Sequence, residues 1–102
     1  MKYITVEGTK GVIAVPGNWK AIEATMVEEE STMLFNKGVT TFVVDFSETK
    51  FIDSFSLQGL VRLREMVGKE HFSCRAVSGE PLKLFRGASL MDWIDRDRKS
   101  VV

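Results

Sequence analysis

The sequence predicts an α/β domain: a mixed sheet with an N-terminal hairpin and helices mainly on one face. Three observations lead there. Two β-rich stretches flank Gly8-Thr-Lys-Gly11 near the start, the pattern of a hairpin. Phe42, Val43 and Val44 form an unbroken apolar run, as expected of a strand covered on both faces. After the hairpin, strand-like and helix-like segments alternate, which argues for parallel strands joined by right-handed crossovers. A length of 102 residues suits one modest core, so residues 1–102 are expected to form a single domain.

Each element has its own signal. Lys2 to Glu7 alternates, with Tyr3, Ile4 and Val6 adding apolar and β-branched weight, and Val12 to Val15 is a short apolar strand. Pro16-Gly17 ends the hairpin. Asn18 is a good N-cap, so Trp19 is expected to start the first helix. Trp19, Ile22, Met26 and Met33 then share a face, with Val27 and Leu34 beside them. Glu28, Glu29 and Glu30 read as a solvated helix face. Asn36-Lys-Gly38 stops the helix, Gly38 suiting the left-handed position after its end. Val39 to Phe46 is the strongest strand. A second helix is expected over Ser54 to Val67, with Leu60, Leu63 and Val67 as its inner stripe and Leu57 at one edge. Gly68 to Glu70 breaks it. Phe72 to Val77 reads as a strand with Phe72, Cys74 and Ala76 on one face. Gly79-Glu-Pro81 opens a third helix, short because of Gly87, with Leu82, Phe85 and Ala88 facing inward. Leu90 to Ile94 reads as a final edge strand or another helical turn, and Asp95 to Lys99 as a fraying polar tail.

Composition removes several function classes. Hydrophobic residues make up 44% of the chain, which opposes disorder. Fourteen basic and 14 acidic residues cancel, against nonspecific nucleic-acid binding, which needs a basic surplus. Cys74 is the single cysteine; it cannot form an internal disulfide and reads as a small core residue. His71 has no cysteine or histidine cluster around it, so no zinc site is expected. No signal peptide or membrane-spanning run is visible, and a cytoplasmic location without membrane insertion is the expectation. Catalysis finds no support either. There is no Ser-His-Asp set, no Gly-Lys-Ser/Thr phosphate loop and no second polar group to back Asp45 and Asp53 as a carboxylate pair. The chain is read as a non-enzyme without cofactor or metal.

The functional signal lies between Phe42 and Leu60. A strand leads through a polar loop to Asp53-Ser54 at the start of the second helix. A helix start carries unpaired N–H groups and partial positive charge, so a phosphate on an exposed hydroxyl there would sit in a favourable field. The stretch therefore reads as a docking site open to phosphorylation. Asp53, Ser54, Phe55 and Ser56 are the candidate partner-binding residues, and Ser54 and Ser56 the candidate phosphoacceptors. Asp53 and Ser54 also suit a capping role, worth about 0.5–2 kcal/mol. Asp45 reads as an organiser of the loop after its strand. Phe55 lies a quarter turn or more from the inner stripe. It either closes the loop against Ile52 or Met66, or stands exposed as an aromatic anchor of the kind enriched in interface hot spots. Trp19 and Trp93 read as packing residues.

Val43-Val-Asp-Phe-Ser47, Phe51-Ile-Asp-Ser54 and Leu57, in that order and spacing, resemble the STAS domain family of sulphate transporters and anti-sigma-factor antagonists. Pro16-Gly17 resembles the glycine the family has before its first helix. The resemblance runs from Met1 to about Ile94. It implies a partner-switching protein that binds a kinase-like anti-sigma factor and so regulates transcription. It also implies that the kinase phosphorylates a hydroxyl after the Asp-Ser pair and that a serine phosphatase reverses this. The alternative it implies is a cytoplasmic subunit regulating a membrane complex that transports lipid or anions. The chain departs from the family where switching would occur. With Leu57 aligned to the family leucine, Phe55 takes the phosphoacceptor position and Ser56 the glycine. Lys20 stands near where the family often has an acid.

Overall fold

The structure is a computed structural model and describes residues 2–94. Strands β1 (Ile4–Glu7) and β2 (Lys10–Ala14) form the expected hairpin, closing at Glu7 opposite Lys10. β2 reaches further back than expected because Lys10 and Gly11 already pair on both sides. Strand β3 (Gly17–Trp19) and helix α1 (Ala21–Asn36) follow, then β4 (Thr41–Asp45), β5 (Thr49–Ile52), α2 (Ser54–Val67), β6 (Phe72–Arg75) and α3 (Gly79–Gly87). The main sheet has the order β1-β2-β4-β6; its first pair is antiparallel and the others parallel. The mixed α/β architecture expected from the sequence is the one found.

The core lies on one face of this sheet. Ile4, Ile13, Phe42, Val44, Phe72 and Cys74 are its buried residues, and they join one cluster with side chains from all three helices. Val43, between two buried neighbours, is only half-buried. The reading of β4 as covered on both faces is thus corrected. Its other face is shielded by the side chains of adjacent strands, with Val12 and Ser73 opposite Val43. β6 ends at Arg75, because Ala76 turns away with φ +59° and is exposed. In α3 the inner face is Pro81, Leu84 and Phe85; Leu82 is half-buried and Ala88 exposed. Residues Met91–Trp93 make a 3₁₀ turn and Ile94 then bridges Cys74, so the last segment supplies both a helical turn and a short edge contact. The tail from Asp95 to Lys99 lies outside the described residues.

The largest departure concerns Trp19. The chain stays extended through this residue, and β3 pairs in parallel with β5 as a second, two-stranded sheet. Gly17 N–H donates to the Glu48 carbonyl at 2.9 Å, and the Thr49 hydroxyl to the Val15 carbonyl at 2.6 Å. Asn18 is therefore a strand residue. Lys20 is the N-cap, its N–H held by the Glu23 carboxylate at 3.0 Å. Starting the helix at Ala21 resets its phase. Ala24, Val27, Ser31 and Leu34 face inward, while Ile22 is 73% exposed and Met33 40%. The glutamate run is more engaged than a solvated face. Glu28 grips Arg62 of α2 through two 3.1 Å bonds, and Glu30 accepts the N–H groups of Lys2 and Tyr3. The helix ends as expected, with Gly38 at φ +106°.

An aromatic chain crosses the core. Trp19 stacks on Phe46 at 5.7 Å; Phe46 meets Phe85, Phe85 meets Trp93 and Trp93 meets Phe72, each edge to face at 5.3–5.8 Å. Such pairs contribute about 0.5–1.5 kcal/mol each beyond their burial. Both tryptophans are packing residues, as expected.

Two glycines should respond oppositely to alanine. A Cβ on Gly11 would lie 2.9 Å from the ring of Phe42, which is wholly buried and cannot retreat. A Cβ on Gly59, inside α2, would meet Arg62 only at an ordinary 3.7 Å. Gly11→Ala is expected to cost about 1–3 kcal/mol through overpacking. Gly59→Ala should add up to about 1 kcal/mol by helix propensity. Denaturant melts of the two variants decide; shifts of the same sign would contradict this packing.

Candidate docking site at the paired helix starts

β3 and β5 run in parallel with Trp19 opposite Ile52, and a helix begins two residues after each. The N-termini of α1 and α2 are consequently neighbours that open toward the same edge. The carboxylate of Asp53 accepts the Ser56 N–H at 2.8 Å, and its carbonyl accepts the Leu57 N–H at 3.0 Å. Asp53 is thus the N-cap of α2, as its type predicts. Its own N–H reaches the Trp19 carbonyl at 3.4 Å, tying the two helix starts together.

Helical spacing sorts the residues that follow. Ser54 is exposed and Phe55 is 56% exposed. Of the two readings left open for Phe55, the structure places it outside the core. Ser56 turns inward. It is 1% exposed, and its hydroxyl donates to the Trp19 carbonyl at 3.0 Å. That burial is at odds with the expectation that Ser56 meets a partner or accepts phosphate, since its oxygen is enclosed and its proton already engaged. Ser54 keeps the accessibility such a role needs.

Two exposed apolar residues here go against the sequence pattern. Ile22 falls on the face of α1 that the spacing predicts to be buried, yet it is exposed. Phe51 falls in the segment that the sequence predicts as a loop, yet it lies on β5, 38% exposed, with the Lys20 Nζ 5.6 Å above its ring. Nothing in the pattern marked Phe51. The irregular register of β3 against β5 leaves two adjacent residues of β5, Lys50 and Phe51, facing outward instead of alternating. Together Ile22, Phe51 and Phe55 put three large apolar side chains at the edge where the helices start.

Asp45 organises the loop below. One oxygen accepts the Ser47 N–H at 2.8 Å, and the other pairs with Arg75 at 3.2 Å. Partial burial alone would push its pKa up; the Ser47 bonds and the Arg75 guanidinium outweigh this and hold it below the ordinary 3.8. Asp45 and Asp53 serve separate partners. His71 is exposed, its Nδ1 3.3 Å from the Thr41 hydroxyl. Cys74 is buried, and burial raises its thiol far above the reactive range. Among the described residues no group of acidic, histidine or cysteine side chains is arranged to hold a metal, and no helix is long and apolar enough to cross a membrane.

No protein-family model and no curated protein sequence matches the chain. Solved structures do. The anti-sigma factor antagonist SpoIIAA in its unphosphorylated form superposes with a TM-score of 0.64 and 24% identity, over 80% of this chain and 77% of that one. The Bacillus cell fate determinant SpoIIAA in its phosphorylated form gives 0.71 and 18%, over 89% and 85%. A sulfate transporter family protein from Wolinella succinogenes gives 0.64 and 12%, over 92% and 78%. The chain has the STAS fold. The likeness is one of fold, and it spans most of each chain.

Within this STAS fold, two carboxylates have separable effects. Asp53→Ala removes the only side-chain cap of α2 and should cost about 0.5–2 kcal/mol, read by thermal melt; a change under about 0.3 kcal/mol would deny the capping role. Asp45 has a depressed folded pKa, so it stabilises the fold above its ordinary 3.8 and loses that contribution as pH falls through the lower folded value. The stability gap between the parent and Asp45→Asn should be constant near neutrality and close below pH 3.8. A gap that persists unchanged into acid would show that the charge is irrelevant.

Proposed function

We propose that this domain is a partner-switching protein of the anti-sigma-factor-antagonist type. It docks on a kinase-like anti-sigma factor in the cytoplasm through the start of α2, and so regulates transcription without chemistry of its own. The observation that carries this reading is the exposure of Phe55, 56%, on a helix start whose counterpart surface includes Phe51 and Ile22. Apolar residues gathered at one edge are of the kind that mark protein–protein contacts. The fold shared with SpoIIAA supports the same reading.

In this scheme Phe55 replaces a switchable hydroxyl with a permanent apolar anchor. Ser54, exposed at the first helical position, remains the candidate phosphoacceptor. Phosphate there would bring about two negative charges into the contact, with repulsion and desolvation cost. A serine phosphatase would then restore docking.

The sulfate transporter family neighbour favours a second reading, a subunit that regulates a membrane transport complex for lipid or anions. It would use the same surface against a separate membrane subunit. Affinity capture from the native cell separates the two by what is retained: a kinase-like anti-sigma factor or transporter components.

Phe55→Ala should weaken binding to the captured partner by roughly thirtyfold or more, the effect of losing an interface aromatic worth about 2 kcal/mol. Its melting temperature should move by no more than about 2–4 °C, as for a surface position. Normal binding with a large drop in melting would make Phe55 a folding residue and end the docking reading. Phe55→Ser should be phosphorylated by a captured kinase. Phosphorylation of the unaltered chain at Ser54 would show that the switch has moved by one residue and not been lost.

A further inference from the structure

We propose that the outward face of α1 is a second contact surface, and that it takes a basic amphipathic helix of a partner protein with a lysine or arginine set in the middle of its apolar face. The surface meets the docking edge at Ile22, so it extends that reading, but it does not depend on Phe55.

α1 is apolar on two faces. One is buried through Ala24, Val27, Ser31 and Leu34. The other carries Ile22, Met26 and Met33. At about 100° per residue these three lie within about 40° of one another, roughly opposite Val27 and Ser31. Ile22 is 73% exposed, Met33 40%, and Met26 half-buried. A helix apolar all round is ordinarily enclosed all round; here the domain encloses one face only. From Ile22, beside Phe51 and Phe55, the stripe carries the apolar surface about 16 Å further, to Met33. Methionines suit such a surface, because their flexible side chains adapt to a partner.

Charge indicates what covers it. α1 holds Glu23, Glu28, Glu29 and Glu30 and no lysine or arginine. Two of the run are engaged at the flanks: Glu28 with Arg62 of α2, and Glu30 with the N–H groups of Lys2 and Tyr3. Glu29 points between them. It is exposed, falls on the stripe between Met26 and Met33, and makes no ion pair among the described residues. Covering the stripe would bury this carboxylate, which is costly without a cation opposite. A second copy supplies none. Antiparallel packing of the two stripes would bring the glutamate runs together, and parallel packing would set Glu29 against Glu29. An anionic membrane surface attracts lysine and arginine and would repel this face. A partner helix with apolar anchors at helical spacing matches the stripe, and one basic residue among them meets Glu29. The shallow groove beside Met33, walled by Glu29, Thr32 and Asn36, has room for one anchor.

The test uses the intact protein and a fluorescein-labelled peptide of about 18 residues, long enough to form a helix. Its apolar face is leucine with one central lysine, and its other positions are lysine and glutamine. A control peptide has glutamate in place of the central lysine. Anisotropy should show saturable binding of the first peptide with a dissociation constant on the order of 10–100 μM, and the Met26 and Met33 methyl signals should shift. The control should bind about tenfold more weakly. Glu29→Lys should reverse the preference between the two peptides, and Met33→Asp should weaken the first about tenfold. Both positions are exposed, so these variants should melt like the parent; the two peptides on the unaltered chain decide in any case. Phe55→Ala should bind the first peptide as the parent does, so failure of one surface does not count against the other. Absence of saturable binding, equal affinity for the two peptides, or methyl shifts outside α1 overturns the proposal. So does a dimer in sedimentation that Met33→Asp dissolves, since a second copy would then cover the stripe.

Discussion

The structure turns on the burial of Trp19. Its ring stacks on Phe46 and starts the aromatic chain that runs through Phe85 and Trp93 to Phe72. Its backbone sits in β3 opposite Ile52, and its carbonyl accepts the Ser56 hydroxyl and the Asp53 N–H. One residue thus joins both sheets, the sheet end of α2 and, through Phe85, α3. The ring can be buried only if the chain remains extended past Pro16, and that requirement delays α1 to Ala21. The phase of α1 follows, and with it the exposure of Ile22.

The same constraint builds the edge where function is expected. Two parallel strands that end opposite each other, Trp19 against Ile52, release two helices side by side. At about 100° per residue, successive residues of α2 must then divide between inside and outside. Ser56 and Leu57 go in; Ser54 and Phe55 stay out. Capping and exposure do not compete, because Asp53 holds the helix with its carboxylate while the neighbouring side chains remain free for contact. The bond from Ser56 to Trp19 fixes the first turn of α2 from below, which gives the exposed aromatic a rigid base. Rigid aromatic anchors lose little entropy on binding.

Electrostatics play a local part. The balanced net charge resolves into a few cross-links: Glu28 with Arg62 between α1 and α2, and Asp45 with Arg75 between the ends of β4 and β6. The first pair is about half exposed, where an ion pair contributes little to stability. Its visible effect is geometric, since it spans the cleft between the two helices.

Much of this protein was determined by local sequence. The hairpin, β4, the bounds of α2 with its stripe of Leu60, Leu63 and Val67, the cap at Asp53, the stop at Gly38 and the burial of Cys74 follow from periodicity and residue type, which act over a few residues. Tertiary structure decided the rest. Asn18-Trp19 has the local signature of a helix start, but pairing with β5, some thirty residues away, outbids a cap worth about 1 kcal/mol. β5 itself carries no clean alternation, so neither it nor the exposure of Phe51 was legible. Ser56 looks as available as Ser54 in one dimension, and only the position of the Trp19 carbonyl turns it inward. The physical reason is common to all three. Long-range pairing and burial of a large ring outweigh propensities of a few tenths to one kcal/mol, and no local pattern records which distant backbone will supply the partner.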